Sequence, residues 1–231
     1  DPADEAVRTG AFRAFSPEDL AAFPEVSDRR TRLGYEKLAR LIEALTQPSS
    51  NAIQSSIDAS RVGIVGFSFG GAVAAVALLR DPRVSAAVNL DGWVTDTPAA
   101  AGVSRPLLAL YARLDLHPSP TSVSTATYHQ TELAREDFRV LLALSRSSAA
   151  EVRLIDGAEH GDFTDARYAG YWKRWRPWRT KLIRPDRMRA IIEACLMPFL
   201  HRHVGGRPFP DSDRAALPEV TSIESIAGDL R

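Results

Sequence analysis

The segment Arg61-Val62-Gly63-Ile64-Val65-Gly66-Phe67-Ser68-Phe69-Gly70-Gly71-Ala72 constrains this chain more than any other. Its first half is an apolar run too short for a helix, which predicts a strand buried on both faces. Its second half opens a small-residue stretch from about Phe69 to Arg80, which predicts a helix stopped by Asp81-Pro82. The chain must therefore turn from strand to helix around Ser68. Glycines on either side let the two elements approach without a Cβ clash. Further strands are predicted at Val84–Leu90, Pro106–Tyr111 and Glu151–Ile155, and further helices from about His129 to Ser145 and from Pro185 or Asp186 to about His203. Strands alternating with helices predict an α/β fold with a mostly parallel sheet and helices on both faces.

Upstream, Ser27 or Asp28 can cap a helix running to about Gln47, with Leu38, Leu41, Ile42 and Leu45 on one face. Residues 1–27 and 205–231 carry no sustained pattern and are expected to be loosely ordered ends of a single domain spanning 1–231. Lys plus Arg equals Asp plus Glu at 29 each, so no bulk field steers the chain to nucleic acid or to a membrane. No apolar run is long enough to span a bilayer, and the single cysteine, Cys195, excludes an internal disulfide.

A strained turn of the Gly-x-Ser-x-Gly kind pushes its hydroxyl clear of the sheet, which makes Ser68 a candidate nucleophile. The amide of Phe69, at the helix start, then points where an oxyanion would form. The competing reading is a Gly-rich turn that packs a helix or binds phosphate; neither a Gly-Lys-Ser/Thr ending nor a Gly-x-Gly-x-x-Gly spacing supports the phosphate version. A serine hydroxyl needs a base. Among His117, His129, His160, His201 and His203, only His160 lies in a turn-rich loop directly after a predicted strand, Asp156-Gly157-Ala158-Glu159-His160-Gly161. His201 and His203 end a helix, where a cation suits the dipole, and His117 and His129 flank a Ser/Thr-rich loop. Two aspartates follow predicted strands between serine and histidine, Asp91 and Asp115, and either can orient an imidazole.

Several blocks resemble the plasma platelet-activating factor acetylhydrolases and their bacterial relatives: Ile57-Asp58, Arg61 to Ala72, Asp81, Arg83-Val84, Asn89-Leu90-Asp91-Gly92-Trp93, Gly157 to Asp165, and Phe199-Leu200-His201-Arg202-His203. The resemblance covers roughly residues 55 to 205, and the Leu-Asp-Gly-Trp block, whose Asp91 follows Ser68 by 23 residues, is its most discriminating piece. It implies an α/β-hydrolase fold and a Ser68–His160–Asp91 triad. It further implies an acyl pocket lined by Trp93 and Phe67, and short-acyl esters, including short-chain or oxidised phospholipids, as substrates. In cutinase-like polyester hydrolases the acid follows the next strand, which maps onto Asp115. A non-catalytic hydrolase-fold binding protein or fragment is the third reading. No metal or organic cofactor and no nucleic acid is implied; the partner is a small ester or lipid.

Two expectations remain. The second oxyanion amide of such folds comes from a loop after an early strand, yet the residues before Ser68 contain no such segment and no initiator Met. The N-terminal strands are therefore expected to be missing, supplied by another segment or chain, and the 231 residues alone to be weakly active and poorly soluble. Between Tyr168 and Lys181, Tyr168, Tyr171, Trp172, Trp175 and Trp178 recur at helical spacing among Lys and Arg. They read either as an amphipathic helix packed on the body or as a lipid-surface contact through Trp172, Trp175 and Trp178.

Overall fold

Four short apolar runs become the parallel strands of one sheet. The computed structural model describes residues 17–48, 52–94, 102–112, 138–165, 183–207, 209 and 217–229. Strands β1 (Val62–Phe67), β2 (Val84–Leu90), β3 (Leu107–Ala112) and β4 (Ala150–Ile155) pair in that order, all parallel, and β5 (Val220–Ser222) adds antiparallel to β4. The helices are α1 (Pro17–Thr46), α2 (Ala52–Ser55), α3 (Phe69–Arg80), α4 (residues 138–145), α5 (Pro185–His203) and α6 (Ile223–Asp229).

Both faces are covered over β2 and β3, which is why those strands read as nearly continuous apolar runs. Strand β1, expected to be buried on both faces, is only partly so, with Val65 45% exposed. Along β3, Leu107, Ala109 and Tyr111 join a core cluster with Ile42 of α1, Ala74 and Leu78 of α3, Leu141 and Leu144 of α4 and Ile223 of α6. Leu108 and Leu110 alternate to the other face and pack with Met188, Ile191, Cys195 and Phe199 of α5. Each fully buried leucine contributes on the order of 2 kcal/mol.

Helix α3 is buried from Gly71 to Leu78 because it lies between the sheet and α1. Its small residues permit that close layering. At the crossing, a Cβ on Gly34 of α1 would lie 2.6 Å from Val73 Cγ2 and 2.9 Å from Phe69 Cζ. This contact selects the inward stripe of α1: Ser27, Thr31 and Ile42 are buried, and Tyr35 and Leu38 pack on the core. Leu41 and Leu45, expected on that face, are 53% and 37% exposed. Periodicity placed Leu38, Leu41, Ile42 and Leu45 on one face, whereas the close approach at Gly34 turns only Leu38 and Ile42 toward the core.

The ends also differ from expectation. Helix α1 starts at Pro17, roughly three turns before the expected cap. Asp28 pairs with Arg32 one turn on, at 3.1 Å, instead of capping, and Thr31 Oγ1 donates to Ser27 O at 2.7 Å. The tail beyond residue 205 is not uniformly loose, since it supplies β5 and α6, with Ile223 fully buried. A three-residue strand carries no periodic signal of its own. It is held by β4, by Asp156 N–H donating to Glu219 O at 2.8 Å, and by the Arg187–Glu219 ion pair at 2.7 Å.

Candidate active site

Ser68 stands where β1 hands over to α3, with φ +54° and ψ −122°. Non-glycine residues rarely adopt this conformation, which costs roughly 1–3 kcal/mol and persists only where the surroundings over-determine it. They do so here. Ser68 N–H donates to Leu90 O at 2.9 Å, extending the β1–β2 ladder into the turn, while Ser68 O accepts from Gly71 N at 2.9 Å and Ala72 N at 3.2 Å. The flanking glycines do different jobs. A Cβ on Gly66 would lie 2.0 Å from Gly70 O, whereas a Cβ on Gly70 would meet nothing within 4 Å. The second close approach is at Gly71, where a Cβ would lie 2.0 Å from Asn89 Oδ1. The expectation that the motif's two glycines both relieve a clash is thus corrected to Gly66 and Gly71.

His160 begins a short 3-10 turn, His160–Phe163, after β4. Asp162 Oδ2 accepts Glu159 N–H at 2.7 Å, and Phe163 is buried beneath, so the loop is pinned on both sides of the imidazole. The ring of Phe67 lies against His160 with centroids 4.8 Å apart, and against Phe163 at 6.5 Å. His160 Nε2 sits 3.0 Å from Ser68 Oγ, and Nδ1 sits 2.6 Å from Asp91 Oδ2. With the serine O–H donating to Nε2, the Nδ1–H donates to the carboxylate.

Asp91 follows β2 and has φ +53°. Its N–H donates to Leu110 O at 2.8 Å, and its Oδ1 accepts Ala112 N–H at 2.9 Å, leaving Oδ2 for the imidazole. The carboxylate is 10% exposed and the imidazole 52%, so the Asp91 carboxylate is largely shielded while His160 faces the solvent side. Asp115, the other candidate acid, lies outside the described residues, as do His117, His129 and the stretch holding Trp172, Trp175 and Trp178.

Phe69 heads α3, where the first amides of a helix have no intrahelical acceptor. Its half-exposed ring rests on Gly34, with Trp93 at 5.9 Å and the Arg30 guanidinium 6.0 Å above its centroid. Phe69 and Trp93 thus make an aromatic shelf beside Ser68, while Phe67 turns the other way, against the His160 ring. Arg30 and Gly34 were not legible as site residues; the one signal was a glycine inside a helix. His201 and His203 end α5, where His201 meets Phe209 edge to face and His203 lies tilted against Phe199. Burial, then Arg202, lowers the His203 imidazole below its ordinary value. Burial raises the Cys195 thiol. No cluster of metal-ligating side chains occurs among the described residues.

A ferulic acid esterase from Streptomyces cinnamoneus is similar in structure, with a TM-score of 0.64 and 26% sequence identity over 85% of this chain. The chain spans 55% of that esterase's length. The sheet and its helices are those of an α/β-hydrolase. No curated protein matches the sequence. The family model of PET hydrolase-like proteins matches residues 20–154, which hold β1, the serine turn, Asp91 and β3. With more than half of its residues matched, the chain belongs to the PET hydrolase-like family.

Proposed function

We propose that this chain carries the catalytic centre of a serine carboxylic-ester hydrolase, with Ser68 as nucleophile, His160 as general base and Asp91 as the orienting acid. The observation that carries the reading is the unbroken relay from Ser68 Oγ through His160 to Asp91, at 3.0 Å and 2.6 Å, on a serine held at positive φ. His160 Nε2 takes the hydroxyl proton as Oγ attacks the ester carbonyl, and Asp91 stabilises the imidazolium. The Phe69 N–H faces the developing oxyanion. Collapse expels the alcohol with the proton from His160, and water then hydrolyses the acyl-enzyme with the roles reversed.

An acid directly after the strand beside the elbow favours the platelet-activating factor acetylhydrolase-like arrangement and short-acyl esters, including short-chain or oxidised phospholipids. A second reading, hydrolysis of polyesters or aromatic esters, is favoured by the family match and by the Phe69–Trp93 shelf. In its cutinase-like form Asp115 is the acid. We take the chain as one hydrolase domain whose β1 edge accepts further strands, since β1 pairs with β2 alone among the described residues.

The test is covalent labelling by a fluorophosphonate, alongside hydrolysis of p-nitrophenyl acetate. Labelling is expected in the wild type and absent in Ser68→Ala, whose kcat falls by about 10⁴-fold or more. Asp91→Asn is expected to lower kcat by roughly 10⁴-fold and Asp115→Asn hardly at all. The reverse order moves the acid to Asp115, and no labelling leaves a non-catalytic binding protein.

A further inference from the structure

The Asp91 side chain is tethered by the Ala112 N–H, which donates to Oδ1 at 2.9 Å, but that bond does not set the peptide that follows. At φ +53° Asp91 lies in the left-handed region, which residues with a Cβ seldom adopt. Its preceding peptide is fixed by Asp91 N–H donating to Leu110 O at 2.8 Å. A second constraint, on the peptide that follows, fixes ψ, which the Ala112 N–H bond to Oδ1 leaves unset.

Asn89 and Tyr111 supply that second constraint. Asn89 is fully buried; its Oδ1 accepts Gly92 N–H at 2.8 Å, and its Nδ2 donates to Gly92 O at 2.9 Å and to Tyr111 Oη at 2.9 Å. The Tyr111 hydroxyl donates to the same Gly92 carbonyl. One amide side chain therefore bridges the two peptides on either side of Gly92, and a phenol locks the bridge. The turn also has nowhere to slide. A Cβ on Gly92 would lie 2.1 Å from Ser68 O and 2.8 Å from Ala72 N, so the acid turn rests directly on the serine turn.

We propose that Asn89 and Tyr111 are positioning residues that clamp the Gly92 peptides and thereby hold the Asp91 carboxylate on His160. The inference rests on the triad reading above, and it assigns a role to the first residue of the Asn89-Leu90-Asp91-Gly92-Trp93 block. Both residues act through Asp91 and touch no reacting atom. Misplacing a catalytic group by about 1 Å can cost on the order of 10²-fold in rate, which sets the scale.

The test measures kcat and KM on p-nitrophenyl acetate for Asn89→Ala and Tyr111→Phe, each alone and in an Asp91→Asn background, with thermal unfolding in parallel. Asn89→Ala is expected to lower kcat by about 10²-fold and Tyr111→Phe by several-fold, with KM unchanged. The low-field proton resonance of the His160–Asp91 hydrogen bond should weaken in both. In the Asp91→Asn background neither change should lower kcat further, because the group they position is already lost. Tyr111→Phe keeps the buried ring, so it reports even where Asn89→Ala does not fold. Equal losses in both backgrounds, a loss confined to KM, or an unchanged kcat overturns the positioning role. If Asp91→Asn by itself is harmless, the triad reading falls too; if it is crippling and the Asn89 and Tyr111 losses persist undiminished beside it, only the positioning role falls.

Discussion

At the scale of single residues, the serine turn separates two glycines that a motif treats alike. Gly66 faces the carbonyl of Gly70 at a separation no Cβ can share, because the displaced atom would be backbone. Gly70 faces open space and lies in the first turn of α3 with an ordinary helical φ. Gly66→Ala is therefore expected to prevent folding to the active state. Gly70→Ala is expected to fold and to gain about 0.5–1 kcal/mol by removing glycine's excess entropy from a helix. Urea unfolding of the two variants checks both; a Gly70→Ala protein as damaged as Gly66→Ala would refute the distinction. The same spatial logic explains why the aromatic side chains flanking Ser68 diverge. Phe67 ends a strand and turns toward His160, whereas Phe69 starts a helix and turns toward Trp93.

At the scale of elements, the far end of α3 is tied down as firmly as the end at Ser68. Asp81, the C-cap, is 2% exposed and accepts from Arg83 N–H at 3.0 Å, Nε at 2.8 Å and Nη2 at 2.7 Å. Arg83 also donates to Ala39 O of α1, and Arg105 donates to the carbonyls of Leu78, Asp81 and Val84, where a cation suits a helix C-terminus. These bonds join α1, α3 and β2. The hydrogen bonds from Arg83 hold the Asp81 carboxyl below the usual aspartate range. A depressed folded value means that the stabilisation is fully present above the unfolded value of about 3.9 and is lost as pH falls through the folded one. Asp81→Asn is thus expected to cost about 1–2 kcal/mol near neutrality, discounted because Arg83 stays a third exposed, with the deficit shrinking in acid. Urea midpoints near neutrality and below about pH 3 test this; a deficit independent of pH would exclude the ion pair as its origin.

At the scale of the molecule, β1 is an edge strand of the sheet among the described residues. Ser68 N–H reaches Leu90 O, so by two-residue alternation the peptide groups of Ile64 and Gly66 also face β2, while those of Gly63 and Val65 face outward. Val65 is 45% exposed, and Leu33 and Leu41 of α1 are 51% and 53% exposed. An apolar strand with unpaired amides is a template for pairing with another chain. Val65→Lys should lower self-association in light scattering without lowering kcat, since a charge on an edge discourages docking. Unchanged scattering would mean that the edge does not drive association.

The strand–turn–helix around Ser68, the mostly parallel sheet and the loop position of His160 were legible in sequence, because each follows from local rules: apolar runs, small residues and turn chemistry. The choice between Asp91 and Asp115 was not legible from the residues, since both follow a strand. For Asp91, the contact with His160 comes from the left-handed turn and the neighbouring β3 amide. The inward stripe of α1 and the β5–α6 tail were equally closed to local reading. A leucine's direction depends on which partner helix approaches, and a three-residue strand exists only against its neighbour. Sequence determined the longer elements, β1 to β4, α3 and α5 among them, because propensity and periodicity act within a dozen residues. Tertiary structure alone decided which side chains meet, because the 2.6 Å between His160 and Asp91 spans residues 69 apart and arises only when three strands pack side by side.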